Sequence, residues 1–328
     1  MTNHRTVAAV DIGTNSVKMT VARRSADGVL NILFDETVIT RLGKGVDSSG
    51  RITDEAAERT LSALAAFGGQ ARGLGAQTVA AVGTSALRDA TNGAEIVAEA
   101  ERRMGGTVEI IAGAREAGLT YRAARNDADI MRAGGIAGAA LFITSDIGGG
   151  STEIVQGVDA DIIYAESLQI GAVRLSERAG LGDPVTGEAF QAALLLANAA
   201  LADVPTPPAA LAPVLVASGG TAANLAAMEI AARGEAVTFD AVHASRLTRE
   251  QIESRAAFLA SLPLAERRKV PGLEPDRADV IVAGAIIQAR VMARLGTDSL
   301  LVSLRGLRYG LLYEQAEREQ ETADMRAL

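Results

Sequence analysis

The stretch Asp146-Ile-Gly-Gly-Gly-Ser-Thr-Glu153 follows the apolar run from Ala139 to Thr144 and precedes a second short apolar run, Ile154-Val155. This order reads as strand, glycine turn, strand. Three consecutive glycines carry no Cβ, so several backbone N–H groups can converge on one anion. A plain hairpin with a glycine-rich turn accounts for the same residues. The acids at the two ends bear on the choice. Carboxylates beside an anion nest repel a phosphate unless a cation lies between them, and Mg²⁺ takes one or two carboxylates together with phosphate oxygens.

The rest of the chain says something similar twice more. Thr6-Val-Ala-Ala-Val-Asp11 reads as a buried strand, Ile12-Gly-Thr-Asn-Ser16 as a turn, and Val17 to Ala22 as a second strand. Asp-Ile-Gly thus recurs in the same strand context at half-chain spacing, which predicts two domains on one plan, each offering a glycine turn to a cleft between them. The third turn, Ser218-Gly-Gly-Thr-Ala222, follows the short strand Val214-Leu-Val-Ala217 and opens a helix containing Asn224, Leu225 and Met228. Strand, small-residue turn and helix N-terminus is an anion-binding geometry, although a helix cap uses the same residues.

Composition bounds the function. With 328 residues, 48% of them hydrophobic, the chain supports two α/β domains with sizeable cores. Aromatics are 3% and Trp is absent, so stacking platforms for single-stranded nucleic acid are not expected. The net charge of −8 disfavours sequence-independent nucleic-acid binding. There is no Cys, which excludes disulfides, thiolate metal sites and Cys nucleophiles, and with only His4 and His243 a metal site built of histidines is not expected. Lys occurs only at Lys18, Lys44 and Lys269, so the positive charge is nearly all Arg, whose fork suits phosphate oxygens. No signal peptide or membrane span is read, and a cytoplasmic location is expected.

Along the chain, Val29 to Arg41 continues the first sheet and Gly43 to Gly50 reads as a polar loop. Thr53 caps a helix running to about Arg72, and Thr78 to Val82 is a strand ending at Gly83-Thr-Ser-Ala-Leu-Arg-Asp-Ala-Thr-Asn92. Hydroxyls, an Arg and an Asn gather there, suited either to an anion or to capping the next helix. Glu116 falls in the first turn of a helix after the strand Val108 to Ile111, where an acid ordinarily complements the helix dipole. Met131 to Gly135 reads as the domain junction, giving domains over 1–133 and 134–328. Thr248-Arg-Glu-Gln251 is a capping-box signature, and Asp276 to Leu295 reads as one long amphipathic helix. A last helix from about Gly310, fraying at its charged end, is expected to pack back on the first domain.

Taken together, Asp11-Ile-Gly-Thr-Asn-Ser, Thr84 to Asn92, Val108-Glu-Ile-Ile-x-Gly113 with Glu116-Ala117, Asp146 to Glu153, Leu168-x-x-Gly171-x-Val-Arg-Leu175 and Ser218-Gly-Gly-Thr221 resemble the exopolyphosphatase and guanosine pentaphosphate phosphohydrolase family. Pro271-Gly-Leu273, Arg277-Ala-Asp-Val-Ile281, Ala283-Gly284 and Gly306-Leu-Arg-x-Gly310 also match, so the likeness spans nearly the whole chain in order. The resemblance implies an α/β fold of two ribonuclease-H-like domains, as in the actin, sugar-kinase and heat-shock ATPase superfamily, around a central cleft. It implies hydrolysis of a terminal phosphoanhydride with Mg²⁺ or Mn²⁺, Glu116 as general base, and Asp146, Glu153 and Asp11 at the metal. The implied phosphate contacts are Asn15, Ser16, Arg88, Gly148, Gly149, Ser151, Thr152, Ser218, Gly219 and Gly220.

Inorganic polyphosphate is the expected substrate and guanosine pentaphosphate the alternative, with a homodimer expected and no nucleic-acid or membrane partner. A kinase of the same superfamily and a non-catalytic guanosine tetra- or pentaphosphate sensor stand as further readings. Two departures bear on them. Arg115 stands before Glu116 where the family commonly has an acid, and the long helical C-terminal extension of many members is missing, which favours shorter polyphosphates or a nucleotide.

Overall fold

The computed structural model describes residues 5–25, 30–135, 140–159, 161–208 and 212–315. The chain forms two compact units, one taking the residues up to Ala123 and again from Leu307, the other Ala124 to Gly306.

In the first unit the strands are β1 (Thr6–Ile12), β2 (Ser16–Arg24), β3 (Leu30–Ile39), β4 (Thr78–Gly83) and β5 (Thr107–Ile110), in the spatial order β3-β2-β1-β4-β5. The hairpin partners β1–β2 and β2–β3 are antiparallel, whereas β1–β4 and β4–β5 are parallel. Every residue of β1 is buried, as a central strand covered on both faces requires. The helix Asp54–Gly73 starts at Thr53, whose side chain accepts the Ala56 N–H, and its Asp54 and Glu55 sit in the first turn. A helix over 307–315 completes this unit, burying Leu307, Leu311 and Leu312 with Val7, Ala9 and Ile111. Asp35 anchors it through Arg308 at 2.6 Å and the Tyr309 hydroxyl at 3.0 Å.

In the second unit β6 (Leu141–Ile147), β7 (Thr152–Val158), β8 (Asp161–Leu168), β9 (Val214–Ser218), β10 (Arg246–Thr248) and β11 (Ser299–Val302) run in the order β10-β11-β9-β6-β7-β8. β6, β7, β8, β9 and β11 repeat the places and directions of β1 to β5, and β10 adds an antiparallel edge. Both units therefore have the expected ribonuclease-H-like α/β plan. In each, the residues beyond the C-terminal ends of the parallel strands share one edge, where open α/β sheets bind ligands.

Some elements differ from the sequence reading. The helix read over 276–295 begins at Ile281 and is preceded by a 3₁₀ turn, Pro275–Arg277. That turn is fixed by the Arg277 Nε bond to Glu274 at 2.6 Å and by Asn224 Oδ1 accepting the Glu274 N–H at 2.7 Å. The loop read over 43–50 contains a short helix, Val46–Ser49, between Gly45 and Gly50, both left-handed. The last helix begins at 307, three residues before the glycine read as its start. Its charged end and His4 lie outside the described residues. Among the described residues no helix is long and apolar enough to cross a membrane.

Candidate active site

In the second unit the glycine turn links β6 to β7 and closes on itself through the Gly148 N–H to the Ser151 carbonyl at 3.0 Å. Its other carbonyls are engaged from behind. Gly148 O accepts the Ala172 N–H at 2.9 Å, Gly149 O accepts those of Val173 and Arg174 at 2.9 and 3.1 Å, and Gly150 O accepts Arg174 Nε at 2.7 Å. These donors open the helix Ala172–Ala179. With the carbonyls so occupied, the N–H groups of the following residues lie on the opposite faces of the same peptides, an arrangement suited to an anion nest. Gly171 completes it: a Cβ there would lie 2.5 Å from the Gly149 carbonyl carbon and oxygen, so the two backbones pack directly. Ser151 and Thr152 are buried in the turn, and Thr152 Oγ1 donates to Ile170 O at 2.5 Å.

Register decides the electrostatics. Asp146 and Glu153 are direct cross-strand partners on β6 and β7, and Glu153 is buried. Ser167 on β8 donates to Glu153 Oε1 at 2.6 Å. In the first unit the equivalent partners on β1 and β2 are Asp11 and Lys18, with Nζ 3.4 Å from Oδ2. The same hairpin position thus holds a cation in one unit and a second carboxylate in the other. Opposed like charges destabilise a strand pair, and a divalent cation that takes one or two carboxylates fits this pair.

Asp146 is also enclosed by glycine backbone. A Cβ on Gly219, which has φ +87°, would lie 2.5 Å from Oδ1, and one on Gly306 would lie 3.3 Å from Oδ2. Ser218 is the parallel partner of Asp146, and its hydroxyl is buried without a hydrogen-bond partner. Gly219 opens the helix Gly219–Ala232, and the Arg277 guanidinium rests on Gly220, where a Cβ would overlap it.

In the first unit the turn after β1 is held the same way. Gly13 N–H meets Ser16 O at 3.0 Å, Asn15 O accepts Thr40 and Arg41 N–H groups, and Thr14 O accepts that of Gly43. Asn15 and Ser16 are buried, and Asn15 Nδ2 has no hydrogen-bond partner. Arg88 lies on the short helix Ser85–Asp89 beyond β4, with Nη1 bonded to Ile111 O at 2.8 Å and to Glu116 Oε2 at 3.3 Å, while Nη2 is buried without a partner. Glu116 is buried in the first turn of the helix Gly113–Arg125. Arg115 points elsewhere, pairing with Glu109 and, at 3.1 Å, with Glu314 of the last helix. Asn92 serves the backbone, exchanging two hydrogen bonds with Ile52.

A family model described as the Ppx/GppA phosphatase family matches residues 20–319. The chain belongs to this family. It is 36% identical to exopolyphosphatase 2 of Mycobacterium tuberculosis, over 90% of this chain and 94% of that one. A guanosine-5'-triphosphate,3'-diphosphate pyrophosphatase of Vibrio cholerae is 29% identical over 98% of this chain but only 61% of its own length. Among solved structures, the Ppx/GppA family member of Aquifex aeolicus superposes with a TM-score of 0.78 at 31% identity, covering 96% of this chain and 98% of that one. The chain is therefore an enzyme of a phosphatase family.

The cluster of Asp127, Asp129 and His243 in the second unit brings three potential ligands within 4.8 Å of one another, but its chemistry does not suit a metal. His243 Nδ1 accepts the Leu304 N–H at 3.2 Å, so the ring proton is on Nε2, 3.1 Å from Asp127 Oδ2. A protonated nitrogen has no lone pair for an ion. Arg305 Nη1 already lies 3.1 Å from Asp127 Oδ1 and 3.8 Å from Asp129 Oδ2. Lys18, Ser167 and this cluster went unread in the sequence. For Lys18 the signal was present, because it follows Asp11 by the same spacing at which Glu153 follows Asp146.

Proposed function

We propose that this phosphohydrolase is metal-dependent and releases the terminal phosphate of inorganic polyphosphate. The observation that carries the reading is the carboxylate pair Asp146 and Glu153 set directly across a strand ladder beside a glycine nest. In this reading Asp146 and Glu153 hold Mg²⁺ or Mn²⁺, which supplies charge neutralisation on the phosphate oxygens. Asp11, already faced by Lys18, holds that ammonium toward the substrate instead of joining the metal ligands. The phosphate contacts proposed are the N–H groups of Gly149, Gly150 and Ser151 and the Ser218 hydroxyl in the second unit, and the Asn15 and Ser16 side chains in the first. Arg88 spends one nitrogen on aligning Glu116 and has another for a phosphate oxygen.

Glu116 accepts a proton from water as the water oxygen bonds to the terminal phosphorus and the anhydride P–O bond breaks. The products are inorganic phosphate and a polyphosphate one unit shorter. A positioned base of this kind contributes roughly 10²–10⁴-fold. Glu116→Gln keeps the shape and removes the base, so kcat is expected to fall by about two orders of magnitude or more with an unchanged circular dichroism spectrum. Turnover like that of the parent enzyme would remove Glu116 from the mechanism. Guanosine pentaphosphate is the second reading, favoured by the Vibrio cholerae relative. Phosphate release from long polyphosphate, tripolyphosphate and guanosine pentaphosphate, measured side by side, ranks the substrates.

A further inference from the structure

We propose that Asp127 is a positioning residue for Asp146, acting through Arg305 and Gly306. This inference rests on the reading of Asp146 as a metal ligand. Asp127 is fully buried and sits at the N-cap of the helix Ala128–Ala133, where its Oδ1 accepts the N–H groups of Asp129 at 3.1 Å and Ile130 at 3.4 Å. A capping role needs no more than that. The same carboxylate also takes Arg305 Nη1 on Oδ1 at 3.1 Å and faces His243 Nε2 from Oδ2 at 3.1 Å.

Both partners lead to one segment. His243 receives the Leu304 N–H at 3.2 Å, Arg305 is the next residue, and the Ser303 N–H is fastened to Ala217 O at 2.8 Å, immediately before Ser218. Residues 303–305 are therefore held at three successive points. The residue they deliver is Gly306, whose missing side chain leaves the backbone against Asp146 Oδ2 and Ser218: a Cβ there would lie 3.3 Å from the first and 3.7 Å from the second. A displaced Gly306 would move toward or away from the carboxylate, and groups that orient metal-binding side chains are worth about 10–100-fold in metal affinity or activity. In low-dielectric surroundings the loss of one charged member of such a buried network is costly.

Two variants test this. Asp127→Asn keeps the cap oxygen but sets an amide N–H₂ against the His243 Nε2–H and removes the charge facing Arg305. Arg305→Met leaves Asp127 and His243 in place and frees residue 305, and Arg305→Lys restores the charge. The readouts are Mn²⁺ affinity of the metal-free protein, followed by loss of the free-ion electron paramagnetic resonance signal, and kcat and KM for the best substrate. Both Asp127→Asn and Arg305→Met are expected to bind Mn²⁺ about 10-fold more weakly and to lose activity mainly in kcat, with Arg305→Lys recovering most of both.

Affinity and kcat/KM within twofold of the parent in both variants, whatever happens to Tm, would make the cluster merely structural and overturn the proposal. If Asp127→Asn does not fold, Arg305→Met decides alone. Tighter Mn²⁺ binding by Arg305→Met would also overturn it, because an ion held at Asp127 itself gains from losing the guanidinium. If the parent enzyme hydrolyses none of the three phosphate substrates, the functional reading falls, while the Mn²⁺ measurement still decides the positioning role.

Discussion

Glu116 and Asp127 are both buried carboxylates, and their neighbours give them different work. Glu116 accepts a hydrogen bond from Arg88 at one oxygen, and in the function proposed above it takes the proton of the attacking water. Asp127 is enclosed. Burial pushes its carboxyl up, but the His243 ring N–H beside it, the charge of Arg305 and the Ile130 N–H outweigh burial, so it titrates below the ordinary 3.8. Asp129 faces the same His243 and Arg305 from the surface side. A carboxyl depressed in the folded state contributes stability that is complete above its unfolded value and is lost as pH falls through the folded value. Asn at 127 has no such contribution. The stability gap between the parent and Asp127→Asn, read by urea denaturation, should be widest at neutral pH and narrow below about pH 4. A gap equally wide at pH 7 and pH 3.5 would mean that the carboxylate charge is not what the site uses. None of this was legible in the sequence, because Asp127, His243 and Arg305 are far apart along the chain and meet only through the sheet order. Asp146, Glu153 and the glycines between them were legible because they are local, and strand alternation fixed which carboxylates oppose.

At the level of elements, strands and helix starts were readable where one local force dominates. Short apolar runs ending in glycine gave β1, β4, β6 and β9, and the hydroxyl caps Thr53 and Thr248 placed two helix N-termini. The misreadings share a cause. Residues 276–280 have helical composition, yet Glu274, Arg277 and Asn224 tie the backbone into a 3₁₀ turn through contacts that amphipathic pattern does not report. Glycine shows the same dependence on packing within one helix. Gly68 and Gly69 are neighbours in Asp54–Gly73, but a Cβ on Gly68 would overlap the Met104 carbonyl while one on Gly69 meets nothing within 4 Å. Gly69→Ala should therefore stabilise the protein by roughly 0.5–1 kcal/mol through helix propensity. Gly68→Ala should destabilise it by roughly 1–3 kcal/mol as the Gly93–Met104 helix is forced away. Urea midpoints moving in the same direction for both would show that backbone entropy, rather than this close approach, governs the pair.

Across the whole molecule one plan is used twice with different charges. The β1–β2 hairpin answers its acid with Lys18, and the β6–β7 hairpin answers its acid with Glu153, which is why the function proposed above places its ion in the second unit. The acids there also have protein around them: Glu153 receives Ser167, and Asp146 lies between the backbones of Gly219 and Gly306. Metal removal should therefore separate activity from stability. For an ion near its dissociation constant, binding adds about RT ln 2, roughly 0.4 kcal/mol, which for a protein of this size moves Tm by less than about 1 °C. Chelation with EDTA is expected to abolish phosphate release, leave Tm within about that range and be reversed by added Mg²⁺. Full activity in EDTA would remove the metal from the mechanism. A fall of Tm by more than about 10 °C would instead make the ion a structural element, since weak binding at a pre-formed carboxylate pair does not supply that much stability.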